Sequence, residues 1–184
     1  RKNGKSLVSA GVGLYMLSAD GEQGAEVYSA ATKKDQAIIV HGEATRMVKA
    51  SPDLIDVIQV FKNSLTRIDK AQKYEPLGAD EDTLDGLNVH AAIVDELHAH
   101  KTRGVYDLME TGTSARRQPL LFAITITPVP TGTWLTTLPG GAKFGVSFFV
   151  TRFEKIRMLL PPFWGRLGRS NTRMPPVLCI ATFE

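Results

Sequence analysis

The stretch AAIVDELHAH, residues 91–100, carries the strongest structural signal in the chain. Its first four residues form a short, fully apolar run of the kind that makes a buried strand. Two adjacent carboxylates, Asp95 and Glu96, follow at the carboxyl end of that run. In α/β proteins this end of a parallel strand lies at the edge where ligands bind. The stretch therefore predicts a buried strand that presents an acidic pair to a ligand.

A second motif, RKNGKS at residues 1–6, belongs with this acidic pair. Gly-Lys-Ser is the end of the Walker A pattern G-x-x-x-x-G-K-[ST], whose first glycine would precede residue 1. In P-loop NTPases an acid that follows a buried strand holds Mg²⁺, and a neighbouring group positions the attacking water. Each motif alone is weak evidence for a nucleotide-binding site. Together, in this order and with an α/β pattern between them, they favour a nucleotide triphosphatase.

Composition limits the class of protein without deciding it. The chain has 184 residues, enough for one domain with a substantial core. It contains no apolar run of the length that spans a membrane, and no amino-terminal secretory signal, so no membrane partner is expected. Its one cysteine, Cys179, excludes an internal disulfide and fits a reducing cytoplasm. The net charge of +3 is too small to indicate nucleic-acid binding.

The character of the chain changes near residue 128. Residues 1–127 contain 15 Lys/Arg and 17 Asp/Glu, whereas residues 128–184 contain 7 and 2. The second part also has 7 of the 10 prolines and 8 of the 14 aromatic residues. We therefore expect an α/β domain over residues 1–127 with a mainly parallel sheet, followed by a basic, irregular tail over residues 128–184.

Within the first part, helical and strand patterns alternate. Helices are predicted over residues 5–17, from a Thr32 N-cap to about residue 50, and over residues 104–112. Strands are predicted over residues 26–31, 74–77, 91–95 and 120–127. Periodicity does not separate strand from helix over residues 54–60, and residues 80–86 predict an acidic turn.

Four blocks of sequence resemble the large terminase subunit of tailed bacteriophages. They are RKNGKS, GAEVYSAATKKDQA, EPLGADEDTLDGLNVHAAIVDELHAHK and ARRQPLLFAIT, which together span roughly residues 1–127. The third block is the most specific. The resemblance implies a RecA-like ATPase core, truncated at its amino terminus here, that couples ATP hydrolysis to packaging of double-stranded DNA into proheads. It also implies a portal protein, a small terminase subunit and a homo-oligomeric ring as partners, in the bacterial cytoplasm.

The resemblance gives roles to the matching residues. Lys5 is expected on the β- and γ-phosphates, with Gly4 leaving room for backbone N–H groups to approach them. Ser6 and Asp95 are expected to hold Mg²⁺, and Glu96 to act as the base or to orient the attacking water. Lys2 and Asn3 occupy the phosphate-loop positions that cover the nucleotide. Thr125 stands at a coupling motif that relatives write as Ile-Thr-Thr, whereas this chain has ITIT.

Ring motors supply an arginine to the transition state, often from a neighbouring subunit. The sequence offers three candidates without choosing among them: Arg46, Arg116 and Arg117.

Residues 128–184 leave the function open. This segment contains no aspartate, so it lacks the clustered carboxylates of a two-metal nuclease, and no nuclease activity is expected. Three interpretations remain: an ATPase motor domain, an inactive prophage remnant that binds nucleotide or DNA weakly, and a helicase-like P-loop ATPase unrelated to packaging.

Overall fold

The structure is a computed structural model that describes residues 4–78, 86–126, 146–151 and 179–183. Four α-helices occur in these residues: α1 (Lys5–Ser18), α2 (Lys34–Ala50), α3 (Pro52–Ile55) and α4 (Gly104–Gly112). Eight strands accompany them, and they are β1 (Glu26–Ala30), β2 (Gln59–Val60), β3 (Leu65–Arg67), β4 (Gln72–Leu77), β5 (Val89–Val94), β6 (Leu120–Ile126), β7 (Val146–Thr151) and β8 (Cys179–Phe183).

All eight strands form one sheet in the order β2-β3-β4-β1-β5-β6-β7-β8. The four central strands, β4, β1, β5 and β6, run parallel, and the pairs at both margins are antiparallel. Strands β5 and β6 are parallel neighbours, with Val94 opposite Ala123 in register, in keeping with the tendency of successive strands to lie side by side. Parallel pairing brings the carboxyl ends of β1, β5 and β6 to one edge of the sheet, which we call the carboxyl edge.

Apolar residues cover both faces of the central strands. Every residue of β5 is buried, as expected for a strand with helices on both sides. Ala91 and Ile93 pack with α1 and α2 on one face, whereas Ala92 and Val94 pack with α4 on the other. This alternation follows the two-residue period of a strand. The result is a three-layer α/β/α arrangement that keeps the acidic pair at the end of a rigid strand.

The helix predictions hold with one correction. Helix α1 begins at Lys5 as expected, and α4 spans the expected residues. The assignment of Thr32 as the N-cap of α2 is wrong: Lys33 occupies that position, and no side chain caps the helix. The Thr32 hydroxyl instead donates to the side chain of Gln36. The ambiguous segment at 54–60 contains the last two residues of α3 and both residues of β2.

Two segments of the tail belong to the main sheet. Strand β7 pairs with β6, and β8 pairs with β7, both antiparallel. The expectation of an irregular tail therefore does not apply to these two segments, whose apolar, β-branched residues suit a pleated sheet. The predicted acidic turn lies mostly outside the described residues. Among the helices that the structure describes, none combines the length and apolarity needed to cross a lipid bilayer.

Candidate nucleotide site at the carboxyl edge of the sheet

The acidic pair lies at the carboxyl edge, directly after β5. The backbone N–H of Asp95 donates to the carbonyl of Ala30 at 2.9 Å, so the end of β5 is fastened to the end of β1. Asp95 and Glu96 are both half-buried. Because β5 is packed on both faces, the backbone that carries these carboxylates is firmly held.

Helix α1 runs antiparallel to β5 and brings Gly-Lys-Ser to the same edge. At its far end, Asp20 Oδ2 lies 3.0 Å from Nε2 of His90, near the start of β5. In its middle, Gly13 lies so close to the sheet that a Cβ there would come within 2.8 Å of Ile93 Cδ1. These two contacts fix the direction of α1, so its amino terminus, and with it Lys5, lies at the edge of the sheet that carries the acidic pair.

The loop before α1 requires a glycine. Gly4 has φ 68°, in the left-handed region that other residues enter only at a cost, and its carbonyl accepts the first helical hydrogen bond, from Val8. The first turn of α1 contains no acidic residue. Its free N–H groups and the positive end of the helix dipole therefore favour an anion such as a phosphate.

The electrostatic environment of Asp95 favours the binding of a cation by its carboxylate. Burial raises the pKa of its carboxyl, and the neighbouring Glu96 charge raises it further. The Glu96 N–H, which donates to Asp95 Oδ1 at 2.9 Å, acts in the opposite direction, as do Lys5 and His98. A carboxylate that has lost part of its hydration is stabilised by an added positive charge. Ser6 and Asp95 provide hard oxygen donors, which Mg²⁺ prefers, with phosphates and water completing its shell.

Glu96 adopts an unusual backbone conformation. Its φ of 49° and ψ of 48° place it in the left-handed region, where a residue with a side chain costs about 1–2 kcal/mol. Its carbonyl accepts a hydrogen bond from the N–H of Ala99 at 2.7 Å, which starts a short 3₁₀ turn. Strain of this kind is commonly found at functional sites, where the surrounding structure maintains it.

Two contacts at this edge were not predicted from the sequence. The Gln36 side-chain amide donates to Glu96 Oε2 at 3.3 Å, although the residues are 60 positions apart. Thr125 Oγ1 lies 3.2 Å from Nδ1 of His98, which links β6 to the turn after β5. The Gln36 contact could have been anticipated only from the adjacency of β1 and β5, since α2 begins just after β1.

The three arginine candidates lie in different surroundings. Arg46 is exposed on α2 and pairs with Glu43 at 2.6 Å. The Arg116 side chain is 9% exposed, and its guanidinium donates to carbonyls that precede β1 and β5, including those of Gly24 and Asn88. Arg116 therefore lies at the end of the sheet opposite the acidic pair, where these contacts favour a structural role. Arg117 is exposed.

The remaining predicted residues are placed as follows. Lys2 and Asn3 lie outside the described residues. Thr125 is fully buried near the end of β6. Within the described part of the chain, no group of three or more His, Cys, Asp or Glu residues could hold a metal by itself. A Mg²⁺ ion at Ser6 and Asp95 would thus depend on the nucleotide for further ligands, as is usual for this ion.

A helix that begins at Gly-Lys-Ser and faces an Asp-Glu pair across the carboxyl edge of a mainly parallel sheet defines the class of RecA-like P-loop proteins. A sequence profile of the ATPase domain of the terminase large subunit matches residues 1–136. The chain belongs to this family.

Two individual proteins are similar in sequence to this chain. The large terminase subunit of Enterobacteria phage HK97 is 30% identical over 131 residues, which are 67% of this chain and 26% of that protein. Protein YmfN of Escherichia coli K12 is 56% identical over 41 residues, 22% of this chain and 9% of its own length. The chain therefore spans about a quarter of the HK97 subunit and a tenth of YmfN.

Solved structures agree on the fold. The crystal structure of the HK97 large terminase superposes with a TM-score of 0.65 at 28% identity, covering 74% of this chain and 29% of that one. The ATPase domain of the Thermus phage P74-26 large terminase gives a TM-score of 0.60 at 20% identity, covering 78% and 64%. At 20% identity, the similarity to the Thermus phage domain shows a shared fold and nothing more.

Proposed function

We propose that this chain binds Mg·ATP at the carboxyl edge and hydrolyses it to ADP and phosphate, as part of a motor that moves double-stranded DNA. The observation that supports this most strongly is the course of α1 antiparallel to β5, which brings the Gly-Lys-Ser start of the helix to the edge of the sheet where Asp95 and Glu96 lie. Membership of the terminase ATPase family points to the same chemistry.

In this proposal the start of α1 binds the phosphates. The Lys5 ammonium contacts the β- and γ-phosphate oxygens, and the left-handed Gly4 lets backbone N–H groups approach them. Lys2 and Asn3 cover the nucleotide. Ser6 and Asp95 would hold Mg²⁺, which would supply positive charge to the phosphate oxygens.

Glu96 would act on the attacking water. Its carboxylate accepts a hydrogen bond from that water, aligns it with the γ-phosphorus and takes up its proton as the new P–O bond forms. The β–γ bridging P–O bond breaks, and its electrons remain on the ADP β-phosphate. Phosphoryl transfer depends mainly on positioning and charge, so Glu96 has only to hold the water and accept its proton, while cationic groups stabilise the charge of the transition state.

Several features concern coupling to DNA. The contact between Thr125 and His98 joins β6 to the turn that follows Glu96, so a change at the γ-phosphate could be transmitted to β6. Of the arginines, Arg46 and Arg117 are exposed and able to reach a neighbouring subunit in a ring. A portal protein, a small terminase subunit and location in the host cytoplasm are part of the proposal through family membership.

Calorimetric titration with Mg·ATP tests the proposal. Lys5→Ala removes a charge-assisted phosphate contact of about 1.5–3 kcal/mol, so the affinity should fall at least about tenfold. Lys49→Ala is the matched control, because it removes the same charge from an exposed position in the last turn of α2. Equal affinity of the two variants would exclude the assigned role of Lys5. If the unsubstituted chain fails to bind Mg·ATP, the inactive remnant becomes the better account.

A further inference from the structure

The Glu96 side chain ends a hydrogen-bonded chain of three side chains, which begins at Thr32 and passes through Gln36. The hydroxyl of Thr32, just after β1, donates to Gln36 Oε1 at 2.8 Å. The amide nitrogen of Gln36, in the first turn of α2, donates to Glu96 Oε2 at 3.3 Å. All three residues are half-buried.

The Glu96 carboxylate and the Thr32 hydroxyl together determine which way the Gln36 amide faces. An ionised carboxylate only accepts, whereas a hydroxyl can donate or accept, so the –NH₂ end of the amide faces Glu96 and the Thr32 hydroxyl donates to Oε1. In the reverse orientation, two acceptors, Oε1 of Gln36 and Oε2 of Glu96, would oppose each other. The amide is therefore held with its donor towards the carboxylate.

A neutral donor is well suited to a carboxylate that has to accept a proton. A lysine or arginine at position 36 would form an ion pair with Glu96 and stabilise its charged form strongly. An amide N–H fixes one carboxylate oxygen without adding a charge, and it leaves the other oxygen for water. Since the left-handed backbone of Glu96 does not determine where its carboxylate points, an external contact has to do so.

We propose that Gln36, oriented by Thr32, is a positioning residue that aims the Glu96 carboxylate at the attacking water. This inference rests on the proposed function, because it assumes that Glu96 acts on water during ATP hydrolysis. It predicts that loss of the Gln36 amide impairs the chemical step while leaving nucleotide binding intact.

The experiment compares single-turnover ATP hydrolysis and Mg·ATP affinity in the 184-residue chain and its variants. Gln36→Ala should lower kcat by about ten- to a hundredfold, since a misplaced catalytic group commonly costs up to about a hundredfold. The KM and the Kd for Mg·ATP should stay within about twofold. Thr32→Val, which removes only the hydroxyl that orients the amide, should lower kcat by a smaller factor.

Asp35→Ala is the matched control. Asp35 is exposed in the same turn of α2, so its loss weakens the helix start without touching Glu96. Its kcat should match that of the unsubstituted chain. An equal loss in Asp35→Ala and Gln36→Ala would show that Gln36 matters through the stability of α2, and would overturn the inference.

A double-mutant cycle separates positioning from a structural role. If Gln36 acts through the Glu96 carboxylate, adding Gln36→Ala to Glu96→Gln should lower kcat by less than twofold further. A full further loss in that background would overturn the inference and leave the proposed function standing. Absence of hydrolysis by the unsubstituted chain would instead overturn the proposed function, and this inference with it.

Discussion

Two glycines in α1 provide a test of how closely this helix packs on the sheet. A Cβ at Gly13 would lie 2.8 Å from Ile93 Cδ1 and 2.9 Å from Tyr74 Cε1, and both of these side chains are fully buried. A Cβ at Gly11 would meet no atom within 4 Å. Alanine gains about 1 kcal/mol over glycine inside a helix at either position. Overpacking a core costs about 1–3 kcal/mol, so the two substitutions should have opposite effects.

Gly11→Ala should raise the free energy of unfolding by about 1 kcal/mol, and Gly13→Ala should lower it by about 1 kcal/mol. For a chain of this size each kilocalorie corresponds to about 2–4 °C in Tm. Urea denaturation followed by circular dichroism would measure both values, with each variant serving as the other's control. If both variants are stabilised equally, α1 does not approach the sheet at Gly13, and the placement of the start of α1 at the carboxyl edge loses its structural basis.

Two further predictions concern pH. Burial raises the pKa of Asp95 in the folded state, so the free energy of unfolding falls as pH rises from about 3.8 through that higher value. Asp95→Asn should therefore raise Tm at pH 7 and give no gain below about pH 3.8, which thermal melts at several pH values would show. Burial lowers the pKa of His90 in spite of the nearby Asp20, so the free energy of unfolding should fall as pH drops below about 6.5. In urea titrations, the free energy of unfolding of His90→Gln should fall less steeply with pH. An unchanged dependence on pH would contradict this assignment.

The elements around the site could be predicted from the sequence because each has a strong local signal. The apolar run before Asp95 is buried on both faces as β5, and the Gly-Lys-Ser motif starts α1. The adjacency of β5 and β6 followed from the tendency of successive parallel strands to lie side by side.

Other features depend on contacts between distant residues and have no local signal. Gly11 and Gly13 are equivalent in any propensity scale, and only the packing of α1 on Tyr74 distinguishes them. Thr32 was assigned as the helix N-cap, yet its hydroxyl donates to the side chain of Gln36 in α2, which in turn contacts Glu96 just after β5. These pairings depend on strand order, which periodicity alone does not fix.

The tail shows the same dependence. Strands β7 and β8 are short, and proline-rich sequence surrounds them, so no sustained period marks them. Their place in the sheet follows from successive pairing, of β7 with the edge of β6 and of β8 with β7.

The central claim is that Asp95 and Glu96 have separate roles, one in holding Mg·ATP and one in hydrolysis. The most direct measurement follows Mg·ATP affinity and single-turnover hydrolysis side by side in Glu96→Gln and Asp95→Ala. Glu96→Gln should keep its affinity within about twofold and hydrolyse at least about a hundredfold more slowly, because the amide cannot accept the proton. Asp95→Ala should lose Mg²⁺-dependent affinity itself. Both variants should hydrolyse slowly, so the affinity separates them: equal Mg·ATP affinity of the two variants, whether kept or lost, would contradict the account.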